Sequence, residues 1–202
     1  MNGCATQPLG DLCDMSIKGD TNTKDISNTG EYPFYKASVS NPSGSHNKFC
    51  FNHKEEYILF IKSGGNAKAP LSSTHGIGKV YLVKGKTCGN TEVAQLVTSI
   101  LDIKYLYYVL QDKQIDIQKL AKYSVNLGHV DMKEFKKMEI CVPSADLQNK
   151  SIQIYEEKEI YLNKIDTNIE ENKRYVEELK KLGKNIISHF CNQNMNSDLV
   201  PP

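Results

Sequence analysis

The chain has almost no arginine: of its 25 basic residues only Arg174 is one, while asparagine and isoleucine are frequent. That bias fits an AT-rich coding sequence as well as any functional demand. No run of 18 apolar residues exists, which excludes a membrane-spanning helix. Residues 1–5 (Met-Asn-Gly-Cys-Ala) lack a basic stretch followed by an apolar one, so no secretory signal is expected. The cysteines, at 4, 13, 50, 88, 141 and 191, never fall two to four residues apart and form no zinc-type quartet with histidine. Unpaired thiols in a reduced, cytoplasmic compartment are the better expectation, ahead of a metal site, and no cofactor is implied.

What is present divides unevenly. Residues 35–90 hold eight lysines (36, 48, 54, 62, 68, 79, 84 and 86) and two acids, Glu55 and Glu56. From Asp146 onward eight Lys or Arg face ten Asp or Glu, so the net +1 hides an asymmetry. A basic surface joined to a solvated or protein-facing element would look like this, although lysines also serve simply as solubilising residues.

Texture divides the chain as well. Up to about Pro143, short apolar runs alternate with turn clusters. Ile58–Ile61 and Val80–Val83 read as short buried strands; 63–66, 75–78 and 88–90 read as turns; Glu92–Ile100 reads as a further strand. Asp102 is placed to cap a helix with an apolar face of Ile103, Leu106, Tyr107 and Leu110, and Asp131 a short helix over 132–138. Glu139–Val142 is strand-like, and Pro143 ends it.

From Leu147 the pattern becomes one long helix. Leu162, Ile165, Ile169, Asn172, Val176, Leu179, Gly183, Ile186 and Phe190 recur at spacings of three and four, an a/d register over four heptads. Between Tyr155 and Phe190 the helix is roughly 54 Å long, and its stripe needs cover, from a coiled-coil partner or from the chain's own domain. Asn172 at d and Gly183 at a weaken the seam; a buried polar residue there fixes register or orientation.

Several stretches, in order, carry a family resemblance: Leu9-Gly10-Asp11, Tyr32-Pro33-Phe34-Tyr35-Lys36-Ala37, Tyr57–Ile61 followed by Gly64-Gly65, Gly78–Lys86 (a hairpin in that family), Lys104–Leu110, Gly128–Pro143 and Ile165–Lys173. Over about residues 9–190 the chain resembles a half-length specificity subunit of type I restriction–modification systems. It departs where Cys141 stands at a position commonly proline and where Pro143-Ser144 replaces a double proline. The resemblance implies an α+β fold: a mixed target-recognition domain with a β-rich core over 1–145, a coiled-coil dimerisation helix over 146–192 and a flexible tail over 193–202. It further implies a non-catalytic subunit, binding double-stranded DNA as an antiparallel homodimer on a bipartite palindrome. Its partners would be DNA methyltransferase subunits and, where one exists, a restriction subunit. The alternative is a coiled-coil scaffold that keeps the fold but has lost sequence-specific recognition.

Enzymatic motifs fail on inspection. Asn41-Pro42-Ser43-Gly44 is not an adenine-methyltransferase motif. His75-Gly76-Ile77-Gly78-Lys79-Val80 lacks the first glycine and the Ser/Thr of a phosphate loop. Glu134-Phe135-Lys136 falls in a helix with no preceding metal-binding aspartate, and the five histidines form no triad spacing. For DNA, lysine supplies phosphate contacts and polar loop residues read base edges. The candidates are Lys36, Ser38, Asn41, Ser43, Lys62, Lys68, Ser72, His75, Lys79, Lys86, Asn90, Ser124 and Asn126, each of which could equally stabilise its own turn. His129 is expected to brace its loop. Dimerisation falls to Leu162, Ile165, Ile169, Asn172, Val176, Leu179, Ile186 and Phe190.

Overall fold

The computed structural model describes residues 4–38, 40–72, 76–124 and 127–197, with side chains to residue 186. Strands are β1 (Thr6–Pro8), β2 (Tyr32–Tyr35), β3 (Ser45–His46), β4 (Phe51–Ile61), β5 (Ser63–Gly64), β6 (Val80–Gly89), β7 (Val93–Leu96), β8 (Ala121–Ser124), β9 (Leu127–Val130) and β10 (Glu139–Cys141). Helices are α1 (Leu9–Leu12), α2 (Ile103–Asp112), α3 (Gln114–Lys119), α4 (Met132–Lys136) and α5 (Ala145–Ser197). The architecture is α+β, with a β-rich core and a long C-terminal helix.

The central sheet runs β3-β2-β6-β4-β7, with β2 parallel to β6 and the remaining pairs antiparallel. Both of its faces are covered, which explains why Tyr57–Ile61 is buried at every residue. Tyr57, Leu59 and Ile61 join Tyr35, Phe51 and Val93 in one cluster. The alternate residue Phe60 stacks on Phe135 of α4, rings parallel within 5° and centroids 4.4 Å apart. Tyr57 is buried, yet its hydroxyl is satisfied, donating to the Gly85 carbonyl at 2.9 Å and lying 2.8 Å from the Thr87 hydroxyl. Burial pushes its pKa up to about 12.

Two smaller sheets complete the head: β5-β9-β8, and β1 paired with β10. A Cys4–Cys141 disulfide clips the latter pair, Cα atoms 5.8 Å apart. This corrects the expectation of unpaired thiols, because antiparallel pairing of Thr6 with Cys141 brings together cysteines 137 residues apart. Cys13, Cys50 and Cys88 remain free thiols.

Several boundaries differ from their expected places. Val80–Gly89 is one strand along β4, with a register shift between His53 and Glu56, so 78–86 holds no hairpin. Cys88 and Gly89 end that strand, and Ser63-Gly64 pairs with β9, so neither is turn. The Asp102 and Asp131 caps form as expected, their carboxylates accepting from the backbone N–H of Lys104, and of Lys133 and Glu134. On α2 the buried residues are Tyr105, Leu106, Tyr108 and Leu110, not Ile103 and Tyr107. Tyr105 and Tyr108 turn inward instead, and the Tyr105 hydroxyl donates to the Cys141 carbonyl of β10 at 3.2 Å.

By contacts the chain divides into a compact unit, residues 1–152, and a second of 153–202. The first two turns of α5 belong to the head. Buried Gln148 accepts from the Asp102 N–H at 2.8 Å and donates to the Pro143 carbonyl at 3.0 Å. From Glu157 to Leu182 every helical residue is exposed. Among the described residues, no helix is long and apolar enough to cross a membrane.

Candidate nucleic-acid interface

The sequence-derived candidates separate into three places on the head. The first is a cleft of about 370 Å³ lined by Ser40, Asn41, Gly78, Lys79, Val80, Tyr81, Tyr107, Gln111 and Gln114. Asn41 and Lys79 were expected; Tyr107, Gln111 and Gln114 come from α2 and α3 and carried no loop signal. The lining offers amides, phenols and an ammonium, with no carboxylate, which is the donor and acceptor mix that base edges and phosphates accept.

Local geometry shapes this cleft. Asn41 braces its loop: its carbonyl oxygen accepts from the Lys36 N–H at 3.2 Å and from the Ser43 hydroxyl at 2.8 Å, and its amide donates to the Lys36 carbonyl at 3.0 Å. Lys36, Asn41 and Ser43 are thus one hydrogen-bonded unit. Ser38 lies against Gly76, where an added Cβ would stand only 2.7 Å from the Ser38 backbone nitrogen, so only glycine allows this approach. Gly78, at φ +80°, turns the chain into β6 and sets Lys79 on the rim.

Ser72 and Ile77 are both held by Gln118, a buried residue of α3. Its oxygen accepts from the Ser72 N–H at 2.8 Å; its amide donates to the carbonyls of Ser72 at 2.7 Å and Ile77 at 3.1 Å. Ser72 is therefore fixed through its backbone. His75 and Asn126 lie outside the described residues.

A second group surrounds Lys62. Burial, then the neighbouring Lys18, lowers its pKa, while Glu92 opposes both. Glu92 also lies 3.9 Å from His129, and the His129 ring stands 2.7 Å from the Ser63 hydroxyl. His129 braces β9 against β5 in this way. Asn90 stabilises its own turn, accepting from the Glu92 N–H at 3.3 Å. Lys68 and Ser124 are exposed at turn and strand-end positions.

The third place is aromatic. Lys86 stands 4.6 Å from the Phe49 ring centroid and 5.8 Å from that of Tyr32, and the two rings meet edge to face. Phe49, a large exposed apolar side chain, had no place in the sequence reading.

Burial pushes the thiols of Cys13 and Cys88 up to about 12, which leaves almost no thiolate at neutral pH. Phe135, in the stretch that mimics a nuclease motif, is fully buried core. Among the described residues, no group of three or more His, Cys, Asp or Glu could hold a metal ion.

On α5 the residues of the expected stripe lie exposed. Leu162, Ile165, Ile169, Val176, Leu179 and Ile186 are all exposed large apolar residues. Asn172 lies among them, and the Phe190 side chain is outside the described residues.

A β-rich head with a polar, carboxylate-free cleft, continuing into a long helix with an uncovered apolar stripe, defines a class of recognition module. The chain belongs to the type I restriction modification DNA specificity domain family, whose pattern matches residues 1–181. Its fold is similar to the crystal structure of the type I restriction-modification system S subunit from M. genitalium (22% identity, TM-score 0.63), over 98% of this chain and 51% of that one. It is also similar to the HsdS subunit from Thermoanaerobacter tengcongensis (15%, TM-score 0.54), over 80% and 39%. A third similar structure comes from work on complex assembly and conformational transition of the type I R-M system (14%, TM-score 0.63), over 89% and 44%. The chain spans about half the length of these proteins, and at such identities the likeness is one of fold. No curated protein matches the sequence.

Proposed function

We propose that this chain recognises double-stranded DNA as the specificity component of a restriction–modification complex. Residues 1–145 would form the target-recognition domain, 146–192 the dimerisation helix and 193–202 a tail. The observation that carries the reading is the cleft in which loop residue Asn41, glycine-turn residue Lys79 and the helix residues Tyr107, Gln111 and Gln114 converge without a carboxylate. With Asn41 bracing its loop, a Gln amide such as that of Gln111 can bridge adenine N6 and N7, and lysine reaches guanine O6 and N7 or a phosphate. With so little arginine, guanine would be read without its commonest partner.

Lys62, Lys68, Lys79 and Lys86 serve mainly as phosphate contacts in this reading, with Lys36, Ser38, Ser43, Ser72, Asn90 and Ser124 shaping or extending the loops between them. Two copies joined through α5 present two heads to a bipartite palindrome. Methyl transfer, and cleavage where a restriction subunit exists, belong to partner subunits, and this chain needs no cofactor of its own. The work is cytoplasmic.

Selection of bound sites from a random duplex pool tests this, with and without a methyltransferase subunit and at two salt concentrations. A bipartite palindrome is the expected enrichment, and its spacer reports the distance between heads. Retention without any enriched sequence in either arm would overturn specific recognition and leave an assembly scaffold.

A further inference from the structure

The apolar stripe of α5 has flanks that differ. With Leu162, Ile169, Val176 and Gly183 at a and Ile165, Asn172, Leu179 and Ile186 at d, the e positions are Glu159, Asp166, Lys173 and Lys180. The g positions are Ile154, Tyr161, Asn168, Tyr175 and Leu182. One flank is thus wholly charged, acidic in its first half and basic in its second, and the other is mainly apolar. All nine flanking residues are exposed.

That polarity selects a partner and a direction. In a parallel pair each e position faces a g position of the other helix. Glu159, Asp166, Lys173 and Lys180 would then meet Ile154, Tyr161, Asn168 and Tyr175, with no ion pair formed. In-register parallel pairing would also set Lys158 against Lys158 and Asn172 against Asn172 in the seam. In an antiparallel pair e faces e and g faces g. A charged flank that changes sign at its midpoint is then complementary to itself, which points to a second copy of this chain as the occupant.

We infer that α5 pairs antiparallel with a second copy of itself in the one register that sets Glu159 against Lys180 and Asp166 against Lys173. This rests on the antiparallel homodimer that the family resemblance implies, and adds to it the register. The seam agrees independently. In that register Leu162 faces Leu179, Ile165 faces Val176, Ile169 faces Asn172 and Tyr155 faces Ile186. The two defects also meet: Lys158 falls opposite Gly183, around which nothing lies within 4 Å of an added Cβ. A lysine stem can cross the glycine and carry its ammonium outward. On the apolar flank Tyr161 packs beside Leu182 and Tyr175 beside Asn168.

Sliding by one heptad either way breaks this. One shift brings Lys173 against Lys173 and buries Ile165 opposite Gly183; the other brings Asp166 against Asp166 and Lys158 against Val176. Within a single helix Lys173 already pairs with Glu170 at 2.6 Å and Lys180 with Glu177 at 2.9 Å. Those exposed pairs are weak enough to be shared or exchanged on association. The charges therefore act by excluding wrong registers more than by adding affinity.

The test is a charge-swap cycle on the full chain, read as the dimer dissociation constant by sedimentation equilibrium at low and high salt. Asp166→Lys alone and Lys173→Glu alone are each expected to weaken the dimer on the order of tenfold, because each places two like-charged contacts in it. The double variant is expected to restore wild-type affinity within about twofold. Residues 166 and 173 stand seven apart on one helix and do not touch, so rescue reports contact between copies. A dimer whose double variant is not rescued overturns the register and leaves dimerisation standing. A protein that stays monomeric at all concentrations overturns the dimer and the register together.

Discussion

The two units spend their apolar residues in opposite ways. In the head, Tyr57 to Ile61 are buried without interruption because the central sheet is covered on both faces. In α5, beyond its first turns, Leu162, Val176 and Leu179 stay roughly half exposed or more. The head satisfies itself and the helix does not. Stability of the first should therefore be independent of protein concentration, and that of the second should rise with it.

The largest expected break in this contrast is at the disulfide. Reducing Cys4–Cys141, or changing Cys4→Ser, should lower the unfolding free energy of the head by about 4–5 kcal/mol if chain entropy governs so long a closed loop. Urea unfolding with and without reductant measures it, with α5 association unchanged. Phe135→Ala comes next: losing the ring stacked on Phe60 should cost about 3–5 kcal/mol, again without affecting dimerisation. The converse variant, Leu179→Lys, should leave the head's urea midpoint in place and raise the dimer dissociation constant about a hundredfold, roughly 2.7 kcal/mol. Sedimentation read beside far-ultraviolet circular dichroism separates the two units.

Smaller effects sharpen the comparison inside the head. Lys79→Ala should reduce the slope of log affinity for duplex DNA against log salt by about 0.9 while the protein stays folded; an unchanged slope would remove Lys79 from the phosphate contacts. The smallest effect is on pH. The Lys122 ammonium, then the Lys133 N–H, hold the Asp131 carboxyl below its ordinary value. A carboxylate depressed on folding stabilises the native state above its unfolded pKa and loses that contribution as pH falls through the folded value. A slight acid-side loss of head stability, abolished in Asp131→Asn, is expected in urea titrations at stepped pH.

How much was legible differed with the range of the interactions. Asp102 and Asp131 showed as caps because a cap needs only the next three residues. The α5 stripe showed because a period repeated over four heptads outweighs local noise. The full length of β6 did not show, since Lys84, Gly85 and Lys86 break its apolar run and only pairing with β4 keeps them in strand. Gln118 and Gln148 were missed for a sharper reason. A glutamine reads as a surface residue, and only the fold reveals that one bonds both Ser72 and Ile77 and the other ties α5 to the start of α2. The cleft was half visible, through Asn41 and Lys79, while Tyr107 read as part of the buried face of α2 and Gln111 and Gln114 as ordinary helix surface.

By itself the sequence determined the long helix, the sign-changing charged flank beside its stripe, the buried centre of β4 and the family to which these stretches belong. The first three are written in spacing along the chain; the family is carried by the order of stretches that resemble its members. Only the tertiary structure decided that Cys4 meets Cys141, that Tyr105 and Tyr108 of α2 turn inward, and that residues 41, 79, 107, 111 and 114 share one cleft. Such contacts join positions tens of residues apart. They leave no period in the sequence because the sheet's pairing and the covering of its two faces, not neighbouring residues, bring them together.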